Sequence, residues 1–194
     1  MFCRILFRDL KTENLAFDHR NALQLFDFGL AKECKPADLM DAPDGYKITG
    51  LTGTLRVMAP EVIQCLPYGL SADVYSFGIL VWEVFSCETA WSGMDFNTQF
   101  DHVVNKGIRP RPVRYAPVAI QTLMDECWSA NRHSRPTFSA IRQLLDVELA
   151  KGYGRENTER SQYLRETSNI SMRESMKGSL EGDESDCLGL AVEQ

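Results

Sequence analysis

The stretch Phe7-Arg8-Asp9-Leu10-Lys11-Thr12-Glu13-Asn14, taken with Asp27-Phe28-Gly29 downstream, decides how this chain is organised. Asp9 and Asn14 sit on one short polar segment between two apolar runs, Arg4 to Phe7 and Leu15 to Phe17. A further apolar run, Ala22 to Phe26, leads into Asp27, and Asp18-His19-Arg20-Asn21 supplies the turn between the last two runs. Strand-like runs that begin or end at an acid or amide bring Asp9, Asn14 and Asp27 to one edge. Such a constellation suits phosphoryl transfer. One carboxylate lies near an attacking hydroxyl, and an amide and a second carboxylate offer oxygen to Mg²⁺.

Length and composition bound the rest. A chain of 194 residues with 44% hydrophobic content holds one domain with a core, and room for a tail. A formal charge of −6 gives no electrostatic reason to expect nucleic acid or an anionic membrane as partner. Arg109, Arg111 and Arg114 do cluster; a solvated, proline-braced loop is the plainer reading of them than an anion site. The six cysteines (Cys3, Cys34, Cys65, Cys87, Cys127, Cys187) show neither zinc spacing nor a disulfide framework, which is consistent with reduced thiols in a cytoplasmic protein. No secretory signal and no apolar run of membrane-spanning length is visible.

Between Ala31 and Leu51 the sequence turns charged and turn-forming, with Pro36, Pro43 and Asp44-Gly45, and reads as a long loop. Asp73 to Phe85 is the most apolar stretch. Its β-branched and aromatic content suits a strand as well, but its length predicts a buried helix, apolar nearly all round, with Ser71 or Asp73 as its cap. Helical spacing recurs over Asp95 to Lys106, stopped by Gly107 and Pro110, and over Val118 to Trp128. Thr137 caps a last helix carrying Phe138, Ile141, Leu144, Leu145 and Leu149. From about Lys151 the chain is polar, without an apolar stripe, and is expected to be a disordered tail. His19, His102 and His133 form no ligand set.

In order along the chain, Arg8-Asp9-Leu10-Lys11-x-x-Asn14, Asp27-Phe28-Gly29, Met58-Ala59-Pro60-Glu61, Asp73-Val74-Tyr75-Ser76-Phe77-Gly78, Cys127-Trp128 and Arg135-Pro136-Thr137-Phe138 resemble the C-terminal lobe of a eukaryotic-type protein kinase. The ending resembles the tyrosine-kinase-like group. Lys11, with Gly53-Thr54 before Ala-Pro-Glu, resembles the serine/threonine type. The implied fold is mainly α with a few short β-strands. The partial kinase domain covers 1–149, and the polar tail 150–194.

The resemblance assigns roles to residues. Asp9 would be the catalytic base, Lys11 a charge on the transferring γ-phosphate of ATP, and Thr54 the hydroxyl bonding both. Asn14 and Asp27 would hold Mg²⁺, and Ala16 would line the adenine site, where a larger aliphatic is usual. Arg8 resembles the arginine of kinases switched by phosphorylation of the activation segment (Asp27 to Glu61 here); an upstream kinase would act on Thr49 or Thr52. Glu61 and Arg135 resemble a buried structural ion pair, and Asp73 the helix aspartate that receives catalytic-loop amides. Phe7, Thr12 and Val57 depart from the usual residues at their positions, but none removes a group needed for transfer.

The expected function is transfer of the ATP γ-phosphate to Ser/Thr hydroxyls of a protein substrate. No Gly-x-Gly-x-x-Gly loop, strand lysine or helix glutamate precedes the catalytic loop in this sequence. The chain is therefore expected to be a fragment, inactive alone, with apolar surface near Leu15, Phe17, Phe28 and along the buried helix left uncovered, and so aggregated or molten by itself. A pseudokinase or interaction module is the competing class. An unrelated helical scaffold would need the ordered motifs to be coincidence.

Overall fold

In the computed structural model, residues 4–40 and 45–151 are described. The tail expected over 150–194 lies, from residue 152 on, outside the described residues, as do Cys3, Cys187, Pro43 and Asp44. The described architecture is mainly helical with a few short strands, as its sequence predicts.

Local chemistry sets the elements around the polar stretch. Strand β1 (Ile5–Leu6) leads into it, and a 3-10 turn over Thr12–Asn14 passes directly to β2 (Leu15–Phe17). β2 pairs antiparallel with β3 (Leu23–Leu25) in the register Leu15↔Leu25, Ala16↔Gln24, Phe17↔Leu23. Asp18 closes that hairpin: its Oδ1 accepts from Arg20 N at 2.8 Å and Ala22 N at 2.9 Å, in the side-chain turn that Asp favours.

The stretch read as one long loop is more ordered than its composition suggests. Lys32–Glu33 forms strand β4, pairing antiparallel with β1 through Ile5↔Glu33 and Leu6↔Lys32. Tyr46 then bridges both Leu39 and Tyr68. A two-residue charged strand carries no hydrophobic alternation, so only its partner reveals it.

Helix α1 (Pro60–Ile63) begins on a proline, and α2 (Leu70–Ser86) is the central pillar. Val74, Tyr75, Ile79 and Trp82 on α2 are buried. Two expectations for α2 need correction. Its cap residue is Gly69, with no side-chain cap bond; Ser71 and Asp73 lie inside the first turn. Its burial does not run all round either, since Val84 is 48% exposed, while Leu80 and Trp82 are buried. The hairpin does expose Phe17 (70%), and Phe28 beyond it is 60% exposed.

Helices α3 (Phe96–Phe100), α4 (Val118–Cys127) and α5 (Phe138–Ala150) complete the order. Asp95 caps α3 through Thr98 N at 2.8 Å, and α3 continues as a π-turn over Asp101–Asn105. Thr137 Oγ1 accepts from Ala140 N at 3.2 Å at the start of α5. On α5, Ile141 is buried but Leu149 is exposed, so the predicted apolar stripe does not reach the helix end. α2 and α4 cross at Gly78, where an added Cβ would lie 2.8 Å from Cys127 Cβ.

Two arginines hold this helical layer from within. Arg135 meets Glu61 through two bonds, Nη1–Oε1 at 2.6 Å and Nη2–Oε2 at 2.9 Å, both buried. It also donates to Ser71 O and Ser129 O, each at 2.9 Å. Arg109 corrects the reading of its cluster as solvated. Its Nε donates to Trp128 O at 2.8 Å, and its guanidinium lies 5.3 Å from the Tyr75 ring centre. Arg111 and Arg114 are exposed, and Arg111 pairs with Glu88. Burial pushes the Tyr75 phenol up to about 12, against the opposing pull of Arg109 and Arg135.

Breaking the Glu61–Arg135 pair from one side leaves a charge buried alone. Arg135→Met is expected to cost about 3–5 kcal/mol, and Glu61→Leu/Arg135→Met to recover much of it. Urea unfolding of the three proteins measures both.

Candidate functional site

The polar stretch is presented on a bent backbone. Arg8 has φ of 70°, a left-handed conformation that a long side chain adopts only under constraint. The constraint is Asp73 in the first turn of α2: its Oδ2 accepts from Phe7 N at 2.6 Å and its Oδ1 from Arg8 N at 2.9 Å. Asp9 follows at once, 5% exposed.

Asp9 is held from three sides. Lys11 Nζ lies 2.8 Å from Oδ2, and Asn14 Nδ2 donates to the same oxygen at 3.2 Å and to Asp9 O at 2.8 Å. Thr54 N donates to Oδ1 at 2.8 Å, while Thr54 Oγ1 accepts from Lys11 Nζ at 2.7 Å. The segment reaches Asp9 because position 53 is glycine: φ is 106°, and a Cβ there would sit 2.1 Å from Arg8 O. Burial tends to raise the Asp9 pKa, but the bonds from Lys11 and Thr54 outweigh it and hold the carboxyl below its ordinary value.

Asp27 ends the hairpin. Phe26 N donates to Asn14 O at 2.9 Å, which extends the β2–β3 ladder by one step and brings Asp27 in one residue beyond Asn14's partner. Asp27 itself has φ of 57°, and its Oδ1 accepts from Gly29 N at 3.2 Å. The Phe7 and Phe28 rings meet edge to face at 5.3 Å. Asn14 spends its amide nitrogen on Asp9, which leaves its oxygen to offer. An amide oxygen and a carboxylate are a donor set that fits Mg²⁺, which takes few protein ligands and completes its shell with water and phosphate. No cluster of three or more His, Cys, Asp or Glu suited to a metal exists among the described residues. Ala16 is exposed on β2.

Arg8 reaches toward the other named positions. Its Nε donates to Leu30 O at 2.5 Å and its Nη1 to Thr49 Oγ1 at 3.0 Å. Thr49 is exposed, and Thr52 Oγ1 bonds back to Thr49 O at 3.1 Å.

One group escaped the sequence reading. Arg56 Nε donates to Glu83 Oε1 at 2.9 Å, and its Nη2 pairs with Glu13 Oε2. Thr12 Oγ1 lies 3.1 Å from Glu13 Oε2 and 3.2 Å from Glu83 Oε2. Glu83 is buried and also accepts from Ala90 N at 3.0 Å. The one available signal was an acid inside the most apolar helix, which demands a partner.

The arrangement can do a specific kind of chemistry. A deprotonated, oriented carboxylate stands beside a fixed cation, with two oxygen donors for a hard metal at the same edge. Comparison with known proteins gives the family. The family described as protein tyrosine and serine/threonine kinase matches residues 3–145. The chain is 35% identical over 142 residues to the serine/threonine-protein kinase STY17 of Arabidopsis thaliana, covering 73% of this chain and 24% of that protein. It is 31% identical over 148 residues to the dual specificity protein kinase shkE of Dictyostelium discoideum, covering 76% and 20%. Vascular endothelial growth factor receptor 3 of Rattus norvegicus is 33% identical over 152 residues, covering 78% and 11%. The chain thus spans between 11% and 24% of the length of these three relatives. Among the described residues no helix is long and apolar enough to cross a membrane. The chain belongs to the protein tyrosine and serine/threonine kinase family.

Proposed function

We propose that this chain is the C-terminal lobe of a serine/threonine protein kinase of the tyrosine-kinase-like group, with its kinase part over 1–149. The single observation that carries this reading is the triangle of Asp9, Lys11 and Thr54, closed by bonds of 2.7 and 2.8 Å. Lysine two residues after the base, bonded to the threonine of the opposing segment, resembles the serine/threonine type and supports Ser or Thr as acceptor. The substrate is a protein, the donor is ATP, and thiols outside any disulfide at Cys65, Cys87 and Cys127 suit a cytoplasmic setting.

Asp9 orients the acceptor hydroxyl and takes its proton as the oxygen bonds to the γ-phosphorus. The phosphorus–oxygen bond to the β-phosphate breaks, and ADP leaves. Asp9 can act as a base because Lys11 and Thr54 keep it ionised, while Oδ1, which accepts from Thr54 N, retains a second lone pair for the acceptor proton. Lys11 stands as a point charge near the transferring group. Asn14 and Asp27 would hold Mg²⁺, which neutralises phosphate charge when bound. Arg8 already bonds the Thr49 hydroxyl. A phosphate placed there by an upstream kinase, or on Thr52, would pair with the guanidinium and stiffen the segment.

The test uses the full-length protein that carries this sequence, incubated with Mg·ATP and peptides that end in Ser, Thr or Tyr acceptors. Transfer to Ser and Thr is expected. Asp9→Asn is expected to lower kcat by about 10²- to 10⁴-fold. Wild-type turnover no higher than that of Asp9→Asn would favour an interaction module instead. Asp27→Ala should abolish transfer while only weakening nucleotide binding, measured by calorimetry; equal loss of both would overturn its metal role.

The ionisation of Asp9 has its own check. Its folded pKa lies below the ordinary 3.8, so its contribution to stability is present above that value and lost as pH falls through the folded pKa. Lys11→Met should move the Asp9 titration to higher pH, followed by carboxyl carbon NMR.

A further inference from the structure

We propose that Arg56 is a positioning residue for Asp9, acting as a second tie between the two turns that hold it; the functional weight of that role rests on the kinase reading. Both turns are closed units. Asn14 N donates to Lys11 O at 3.1 Å, which makes Lys11 to Asn14 one rigid turn. Val57 N donates to Thr54 O at 3.1 Å, which does the same for Thr54 to Val57. The first turn contributes Asn14 and Lys11 to Asp9, and the second contributes Thr54 N.

At the Thr54 end the turns meet through Lys11 and Asp9. A single point of attachment lets one turn pivot on the other. Arg56 supplies a separated second point, because its guanidinium lies between Glu13 on the first turn and Glu83 on α2. Glu83 is 5% exposed, so Arg56 also neutralises a buried carboxylate. Thr12 adds one hydroxyl proton, shared between Glu13 and Glu83. Other anchors of the Thr54–Val57 turn lead elsewhere. Gln99 Nε2 donates to Leu55 O at 2.7 Å, and Ser76 Oγ to Val57 O at 2.7 Å. They tie it to the helices and make no bond to the Lys11–Asn14 turn. Lysine cannot reproduce the bridge, since only the planar fork reaches two carboxylates at once.

The experiment is amide hydrogen exchange on the full-length protein that carries this sequence, resolved at Thr54, Asn14 and the amides of α4. Arg56→Met is expected to speed exchange at Thr54 by about tenfold or more beyond any acceleration in α4, which reports the stability lost when Glu83 is left buried alone. Arg56→Lys should fall between. Unchanged exchange at Thr54 in Arg56→Met would overturn the proposal, and so would equal acceleration in α4, which marks a general loss of stability. Should Arg56→Met fail to fold, Glu13→Ala decides, because Glu13 is exposed and its loss cuts the tie while the Arg56–Glu83 pair stays. Faster exchange at Thr54 supports the proposal, and wild-type protection overturns it. In the full-length protein, Arg56→Met should lower kcat with KM for ATP nearly unchanged. Turnover of wild type no higher than Asp9→Asn would sink the kinase reading alone, while the exchange result still decides the tie.

Discussion

One carboxylate sets the geometry on which the site depends. Asp73 accepts two consecutive amides, Phe7 N and Arg8 N, and so fixes the backbone where Arg8 adopts its left-handed conformation. Such a conformation costs of order 1–3 kcal/mol and persists only where its surroundings enforce it. Here the enforcement comes from a pillar helix whose Tyr75 and Ile79 are fully buried. The bend aims Asp9 toward Thr54 and sends the Arg8 side chain to Leu30 and Thr49. Core packing therefore determines where the reactive edge points.

The charged groups fall into two kinds of arrangement. Glu61 and Arg135 are sealed from water and satisfy one another. Around Asp9, by contrast, cations and carboxylates are shared: Lys11 serves both Asp9 and Thr54, and Arg56 serves both Glu13 and Glu83. A sealed pair sets how the helices stand together. Shared groups link elements that are far apart in sequence, so a change at one is felt at the others.

Much of this was legible in the amino-acid sequence, and the remainder has physical reasons for being hidden. The hairpin, α2, α4 and α5 announce themselves through apolar runs, spacing and caps, because burial of one face is a local pattern. The polar stretch and Asp27 stand out because their spacing forms part of an ordered set of motifs along the chain. Lys32–Glu33 is a strand only because Ile5–Leu6 lies beside it. Arg109 looks like a surface arginine until Tyr75 and Trp128 are found around it. Arg56 and Glu83 lie far apart along the chain, and no periodicity couples them. Partnerships across the fold, rather than elements within it, are what local pattern leaves out.

Gly53 carries a consequence for heredity. Every amino acid that a missense change could put there brings a Cβ, and that atom would fall on the carbonyl of Arg8. The position has no side chain and donates nothing to the chemistry. A missense change there would nevertheless push the Thr54 segment away from Arg8, and with it the amide that Asp9 accepts from. What position 53 contributes to the architecture is the absence of an atom.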